Sequence, residues 1–365
     1  MAQPNAGAIV AQPRLETRSI QDFIRRKIEP IFVEHVLMGR LRSAGRISGN
    51  HGGKFMELRP RKRRRSITGD SGNVLRVSFN QTNVHDIVTL PWRSYNMGEA
   101  QTQYEELALA PQVNRFFREM VSLVKDCTED FMEAFVEKLW ADGGANSTDI
   151  HGFQSWNAST GSVISNSALA DPSDTYAGKS TALGSGGSWT GNYPLGIGSR
   201  EYHYWSPFLV DYNNSLLSDA ATANNWENQW QHAMLYGYTY LKKLQNVTPN
   251  LCIMDAELLR KAKNSLVGVQ RIDVVRSASD RDPGTPRLFY EGIELASEYG
   301  MPADTAWLIP LKKMELRHFG NQLIHLKEQF DINTAEHKML FRFFGNMVFD
   351  SPAFFAELLA ISAGS

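Results

Sequence analysis

The sequence predicts an α+β fold organised around one long helix and one projecting β-hairpin, and three observations carry that prediction. Apolar residues recur at three- and four-residue steps from Val113 through Phe116, Phe117, Met120, Val124, Cys127, Phe131 and Phe135 to Leu139, the spacing of one helix face. Two alternating stretches flank the turn-rich segment TGDSGN, the signature of a hairpin. The last third reads as successive strands, RLFYEGIELA, AWLIPLKKMELRHF, NQLIHLKEQF and KMLFRFFGNMVFDSP. With 365 residues, 42% hydrophobic and 21% charged, the chain can bury a sizeable core and is too apolar for wholesale disorder.

In chain order, residues 1–52 read as an N-terminal arm. Its start is Ala/Gln/Pro-rich, with neither the basic flank nor the apolar run of a secretory signal. An amphipathic stretch follows, SIQDFIRRKIEPIFVEHVLMGRLR, which Pro30 interrupts, and SAGRISGNHGG forms a joint. KFMELRPRKRRRSI then ascends, TGDSGN turns and VLRVSFNQTNVHDIVTLPW descends. A hairpin this long carries little apolar surface at its tip, so it must project and lie on something else. Pro111 stands where a first helical turn begins, and the long helix runs from there until Gly143 and Gly144 end it, about 45 Å at about 1.5 Å per residue. Residues 143–200 are rich in Gly, Ser, Asn and Thr, which predicts irregular, exposed chain. Order returns with a helix near 224–245, a short strand NLCIM, and a helix AELLRKAKNSL that Asp255 caps.

A search for chemistry yields little. Lys+Arg is 38 and Asp+Glu is 39, a net charge of -1, which offsets any basic cluster and argues against a chain built globally to grip phosphate. Cys127 and Cys252 lie far apart without CxxC spacing, so neither a disulfide framework nor a zinc site is expected, and a reducing compartment is. GKST at 178–181 resembles the end of a phosphate-binding loop, but Ser173 stands where the first glycine belongs and neither flank fits. The nine histidines show no HExxH spacing and no GxSxG elbow occurs. No apolar run approaches the roughly 18 residues of a membrane span. Trp226, Trp230, Tyr236, Tyr238 and Tyr240 crowd one helix, and with basic residues absent until Lys242 and Lys243 they read as core rather than as a base-stacking platform. The expectation is a non-enzymatic chain with no catalytic residues, no metal, no cofactor and no membrane segment.

Two electrostatic features stand out. Arg59, Arg61, Lys62, Arg63, Arg64 and Arg65 fall within the ascending hairpin strand. The long helix carries Asp126, Glu129, Asp130, Glu133 and Glu137, with Glu129, Glu133 and Glu137 at four-residue steps, so like charges line one face and disfavour the isolated helix. One reading is a solvated acidic face. The other is that the arginine cluster lies across it, from its own chain or more naturally from a neighbour, because the guanidinium fork binds carboxylates bidentately and tolerates partial burial.

The order of parts, together with DIVTLPWRSYNMGEAQTQYEELALAPQVNRFF entering the helix, LWADGG and DIHGFQSW leaving it, TPNLCIMDAELLRKAKNSLVGVQRI, LFYEGIELASEYGMPADTAWLIPLKKMELRHF and the closing NMVFDSPAFFAELLAIS, resembles the major capsid protein of tailed bacteriophages, the Hong Kong 97-type fold. The resemblance runs from about residue 36 to the end. It implies an N-terminal arm (1–52), an extended β-hairpin loop (53–108) and spine helix (109–144) of a peripheral domain, an axial domain (145–305), peripheral-domain strands (306–346) and a final strand (347–365) returning to the axial domain. It further implies self-assembly through homopentamers and homohexamers into an icosahedral shell around double-stranded DNA, contacted non-specifically. A separate scaffolding protein, a portal and cement proteins are the implied partners, with assembly in the host cytoplasm and a final place in the virion capsid. Some relatives cross-link through Lys and Asn; Lys54 and Lys62 lie in the hairpin, but no matching Asn and acid are identifiable. The competing expectations are an encapsulin-type shell around protein cargo, and a nucleic-acid-binding protein that uses the basic strand at 59–65.

Overall fold

The structure, a computed structural model, describes residues 35–62, 84–102, 113–184, 200–217, 224–266, 288–334 and 336–361. Three short segments open it: helix α1 (Val36–Ser43), strand β1 (Ile47–His51) and strand β2 (Phe55–Leu58). β3 (Val88–Pro91) pairs antiparallel with β2, Phe55 opposite Pro91 and Leu58 opposite Val88. After Trp92 the chain becomes β4 (Arg93–Thr102), and the long helix α2 spans Val113–Lys138. That helix has 26 residues, about 39 Å, and stops short of the expected glycines because 139–145 unwind through turns.

Two sheets make the body. The smaller is built on β16 (Glu336–Phe349). One edge of β16 pairs with β15 (His325–Asp331) and then β14 (Met314–Phe319), with β1 parallel to β14 beyond. Its other edge pairs with β4 from Arg93–Gly345 to Thr102–Glu336. β4 was expected to belong to the projecting loop; its polar sequence RSYNMGEAQT hides a strand that lays Tyr95 and Met97 against the core. The packing partner of this sheet is α2, whose Phe135 ring lies 4.6 Å from that of Phe343.

The larger sheet has eight strands in the order β11-β12-β10-β13-β17-β9-β6-β5, comprising β5 (Ser159–Val163), β6 (Leu169–Pro172), β9 (Phe208–Asp211), β10 (Leu251–Met254), β11 (Leu288–Tyr290), β12 (Ile293–Ser297), β13 (Ala306–Ile309) and β17 (Ala356–Leu359). Helices α3 (Trp226–Tyr240) and α4 (Ala256–Leu266) cover it. α3 comes so close that a Cβ on Gly237 would stand 3.0 Å from Leu308. Trp226 and Trp230 are buried here, core residues as their setting implied. Both cysteines are free and buried.

Two expectations need correction. Ala306–Ile309 was grouped with the spine-side strands, yet β13 sits inside the larger sheet between β10 and β17, because AWLI is apolar on both faces and demands a central position. The described part of 143–200 is largely irregular, as expected, but it is not mainly exposed: it holds four short strands and buries Phe153, Trp156 and Tyr176 completely. Glycine here serves close packing rather than looseness. A Cβ on Gly152 would lie 2.3 Å from the Leu139 carbonyl oxygen, so only glycine lets this segment cross the end of α2.

An aromatic block joins the two sheets. Phe153 and Trp156, on one 3₁₀ turn, contact Trp307 of β13, Phe349 of β16 and Phe355, with ring centroids 5.1–6.1 Å apart. Beside it Asn346, fully buried, accepts from the His151 and Met347 backbone N–H groups and donates to the Pro91 carbonyl at 2.9 Å, tying the strand to the hairpin base. Glu357 is 2% exposed in β17, where Asn157 Nδ2 donates to both carboxylate oxygens at 3.0 Å. Burial pushes its pKa up to about 8 against that hydrogen bond.

Asn346→Ala removes the side-chain partner of three backbone groups and is expected to lower stability by about 2–4 kcal/mol in denaturant unfolding. Because Glu357 folds best uncharged, stability should be full below its unfolded pKa near 4.5 and fall as pH rises to about 8. Glu357→Gln should abolish that decline, on the order of 3–5 kcal/mol, in unfolding curves taken across the range. A slope identical in the wild type and the variant would exclude Glu357 as its source.

Candidate functional site: the hairpin base and the spine face

The hairpin base is a two-faced ribbon. Met56 and Leu58 turn inward and are buried, whereas Phe55 is 51% exposed and Ile87 61% exposed. The ladder continues past β2 and β3: the Asp86 N–H donates to the Pro60 carbonyl, Arg61 bridges His85, and the Lys62 N–H donates to the Val84 carbonyl at 2.9 Å. This is the predicted ascending and descending pair, read as far as Lys62. Arg59 pairs with Glu57 at 2.6 Å in the open, and Arg61 is exposed. Arg63, Arg64 and Arg65, with the TGDSGN turn, lie outside the described residues.

Thr175–Tyr176 (β7) and Lys179–Ser180 (β8) form a small hairpin beneath this base. Ala177 and Gly178 both have positive φ, 53° and 76°, the two-residue turn whose twist suits paired strands. GKST is therefore a hairpin strand rather than a phosphate cradle. Lys179 is buried and forms an ion pair with Asp86, and neither Lys179 Nζ nor Asp86 Oδ2 has any other hydrogen-bond partner. Burial, reinforced by the charge of Lys62, pulls the Lys179 pKa down. This bolt between the hairpin base and the body was missed in the sequence, although TYAGKS carried a hairpin signal.

Along α2, Val124, Cys127, Phe131 and Phe135 are buried, as the periodicity required, and Met132 and Val136 are buried beside them. The opposite side presents Asp126, Asp130, Glu133 and Glu137, all exposed. Glu129 is half-buried and pairs with Lys125 one turn back at 3.2 Å. Asp126 accepts from Ser122 at 3.5 Å. Glu137 accepts from the Tyr299 phenol, a hydrogen bond that raises the tyrosine pKa, and packs against Gly300. The five acids thus share one outer face, where Ser122, Lys125 and Tyr299 are partners of three of them. Nothing chemical is assembled on it, and among the described residues no group of three or more His, Cys, Asp or Glu could hold a metal. No described helix is long and apolar enough to cross a membrane.

With this architecture in hand, solved structures identify the fold. The chain is similar to one from the capsid asymmetric unit of cyanophage A-1(L), at 16% identity and a TM-score of 0.52, over 87% of this chain and 91% of that one. The capsid of an empty GTA particle (14% identity, TM-score 0.47, 88% and 89% covered) and the holo-SrpI encapsulin complex from Synechococcus elongatus PCC 7942 (8%, 0.47, 89% and 89%) are also similar. No protein-family model and no curated protein matches. The fold is that of phage capsid proteins, α+β, with the described hairpin base preceding the long helix as expected.

Removing one partner of the Lys179–Asp86 pair should be costly, because it strands a buried charge. Lys179→Met is expected to destabilise by about 3 kcal/mol or more, and Lys179→Met with Asp86→Leu to recover most of that loss, both read from thermal unfolding. Equal losses in the single and double variants would show that the pair is not coupled.

Proposed function

We propose that this chain is a structural major capsid protein that self-assembles, through pentamers and hexamers, into an icosahedral shell enclosing double-stranded DNA. The observation that supports this best is the fold, shared over 87% of the chain with a cyanophage capsid chain. The reading makes the protein a component of the virion capsid, assembled in the host cytoplasm. It takes as partners copies of itself, a separate scaffolding protein, a portal and cement proteins.

In this reading the peripheral domain comprises the extended loop, α2 and the smaller sheet, and the axial domain the larger sheet with α3 and α4. The basic strand acts as an intersubunit clamp. Arg59, Arg61, Lys62, Arg63, Arg64 and Arg65 of one copy lie along Asp126, Glu129, Asp130, Glu133 and Glu137 of the next. A carboxylate row left mostly to solvent in one chain offers a bidentate partner to each arginine. Arm, hairpin and larger sheet each meet a different neighbour, so the buried area per chain should exceed the roughly 1,600 Å² of a standard interface.

Negative-stain microscopy of the full chain, alone and with its neighbouring genes, tests the assembly. Closed shells or capsomers are expected; a monomer in both preparations would sink the reading and return the basic strand to nucleic acid, whose binding should fall steeply with salt. Shells that package protein rather than DNA would identify the encapsulin-type alternative. Reversing Arg61, Arg63 and Arg64 to Glu should leave the monomer folded by circular dichroism and abolish shells, and normal shells from that variant would remove the clamp.

A further inference from the structure

A cleft of about 460 Å³ opens where three parts of the chain meet. The end of β3 with Arg93 forms one wall, the turn after α2 from Asp142 to Ala145 another, and His151 with the β7 turn the third. Its two acids are turned toward backbone. Asp142 Oδ1 accepts from the Gly144 and Ala145 N–H groups at 2.8 and 3.0 Å. Asp174 Oδ1 accepts from Thr175 at 2.6 Å, and its Oδ2 from Ala158 at 3.3 Å.

The unsatisfied groups are on the other side. Arg93 Nη2 reaches the Gly143 carbonyl at 3.4 Å, but its Nε–H is buried without a partner. His151 is only 6% exposed, and its Nδ1 is likewise buried and unpartnered. Burial, with the Arg93 charge beside it, brings the His151 pKa down to about 4, so the ring is neutral at neutral pH and offers one N–H. Arg93 and His151 both line the cleft, and a buried guanidinium N–H and imidazole nitrogen are costly while they lack partners.

We propose that this cleft binds a single carboxylate group, held by Arg93 and His151. Arginine supplies the charge and the charge-assisted bond, and the imidazole in its Nδ1–H form supplies a second donor. The charges of Asp142 and Asp174 restrict the guest to one negative charge and disfavour a phosphate dianion. The carboxylate comes from a small molecule or from an Asp or Glu side chain of a second copy; the second source rests on the shell reading, the first does not.

The test follows the imidazole signals of the unassembled full chain, labelled with ¹⁵N-histidine and assigned with His151→Gln. Acetate, at constant ionic strength, should shift the His151 signal saturably, and phosphate and chloride should not. Arg93→Gln should weaken acetate by about tenfold, with folding checked by thermal melting. Should that variant not fold, Arg93→Lys, which keeps the charge and loses the fork, should still weaken binding. An unsaturable shift would mean that water alone fills the cleft, and equal affinity in the Arg93 variant would mean that Arg93 does not hold the guest; either would overturn the proposal. In assembled shells, solid-state spectra with His151 already at its acetate-bound position and unresponsive to acetate assign the carboxylate to a neighbouring copy. A continued response assigns it to a small molecule. If no shell forms, the acetate titration still stands as a test of the cleft.

Discussion

The structure depends on the aromatic block between its two sheets. Phe153 and Trp156 come from one short turn, Trp307 from the centre of the larger sheet, and Phe349 and Phe355 from either side of the last chain reversal. All five are fully buried. The indole N–H groups of Trp156 and Trp307 have no hydrogen-bond partner there, at a cost of about 1–3 kcal/mol each. That loss is tolerated because each large ring contributes well over that amount in apolar burial and edge-to-face contact. The block fixes how the larger sheet meets α2 and the smaller sheet, so the hairpin and the acidic face hold a defined relation to the rest of the chain.

Much of this was legible in the sequence, and the reasons are physical. The α2 periodicity was long and strict, so the buried set from Val124 to Leu139 followed directly. The hairpin base was legible through its alternation, and Trp226 and Trp230 as core through the absence of interleaved cations. The parts that were not legible share a different cause: tertiary pairing decided them. RSYNMGEAQT is a strand because β16 offers it an edge, and the apolar AWLI gains its central place from pairing between β10 and β17. The segment from 143 to 184 misled because its glycines and serines read as looseness, whereas Gly143 and Gly152 are there to let backbones touch. A Cβ at Gly143 would lie 2.5 Å from the Ile150 carbonyl oxygen.

The candidate site divides along the same line. The acids of α2 were visible because they sit on the face that periodicity leaves over, and the structure places all five there. Their basic counterparts are visible as composition alone, since no local pattern says what an arginine-rich strand touches. Asp86 with Lys179, Asn346, and the pair Arg93 and His151 were invisible, because each joins residues far apart in sequence whose types are ordinary singly.

Those missed contacts have a common location. Asn346 holds the Pro91 carbonyl, Lys179 holds Asp86, and Arg93 reaches Gly143, so three polar links fasten the hairpin base to the body. The two sheets, by contrast, are fastened by rings. Apolar packing between large rings is lost steeply on displacement, since a gap of about 1 Å already forfeits a large part of the contact. Asn346 and Lys179 are buried as well, so losing either polar link strands unpaired groups and is also costly. The chain therefore joins its sheets through apolar rings and seats its hairpin base through buried polar links.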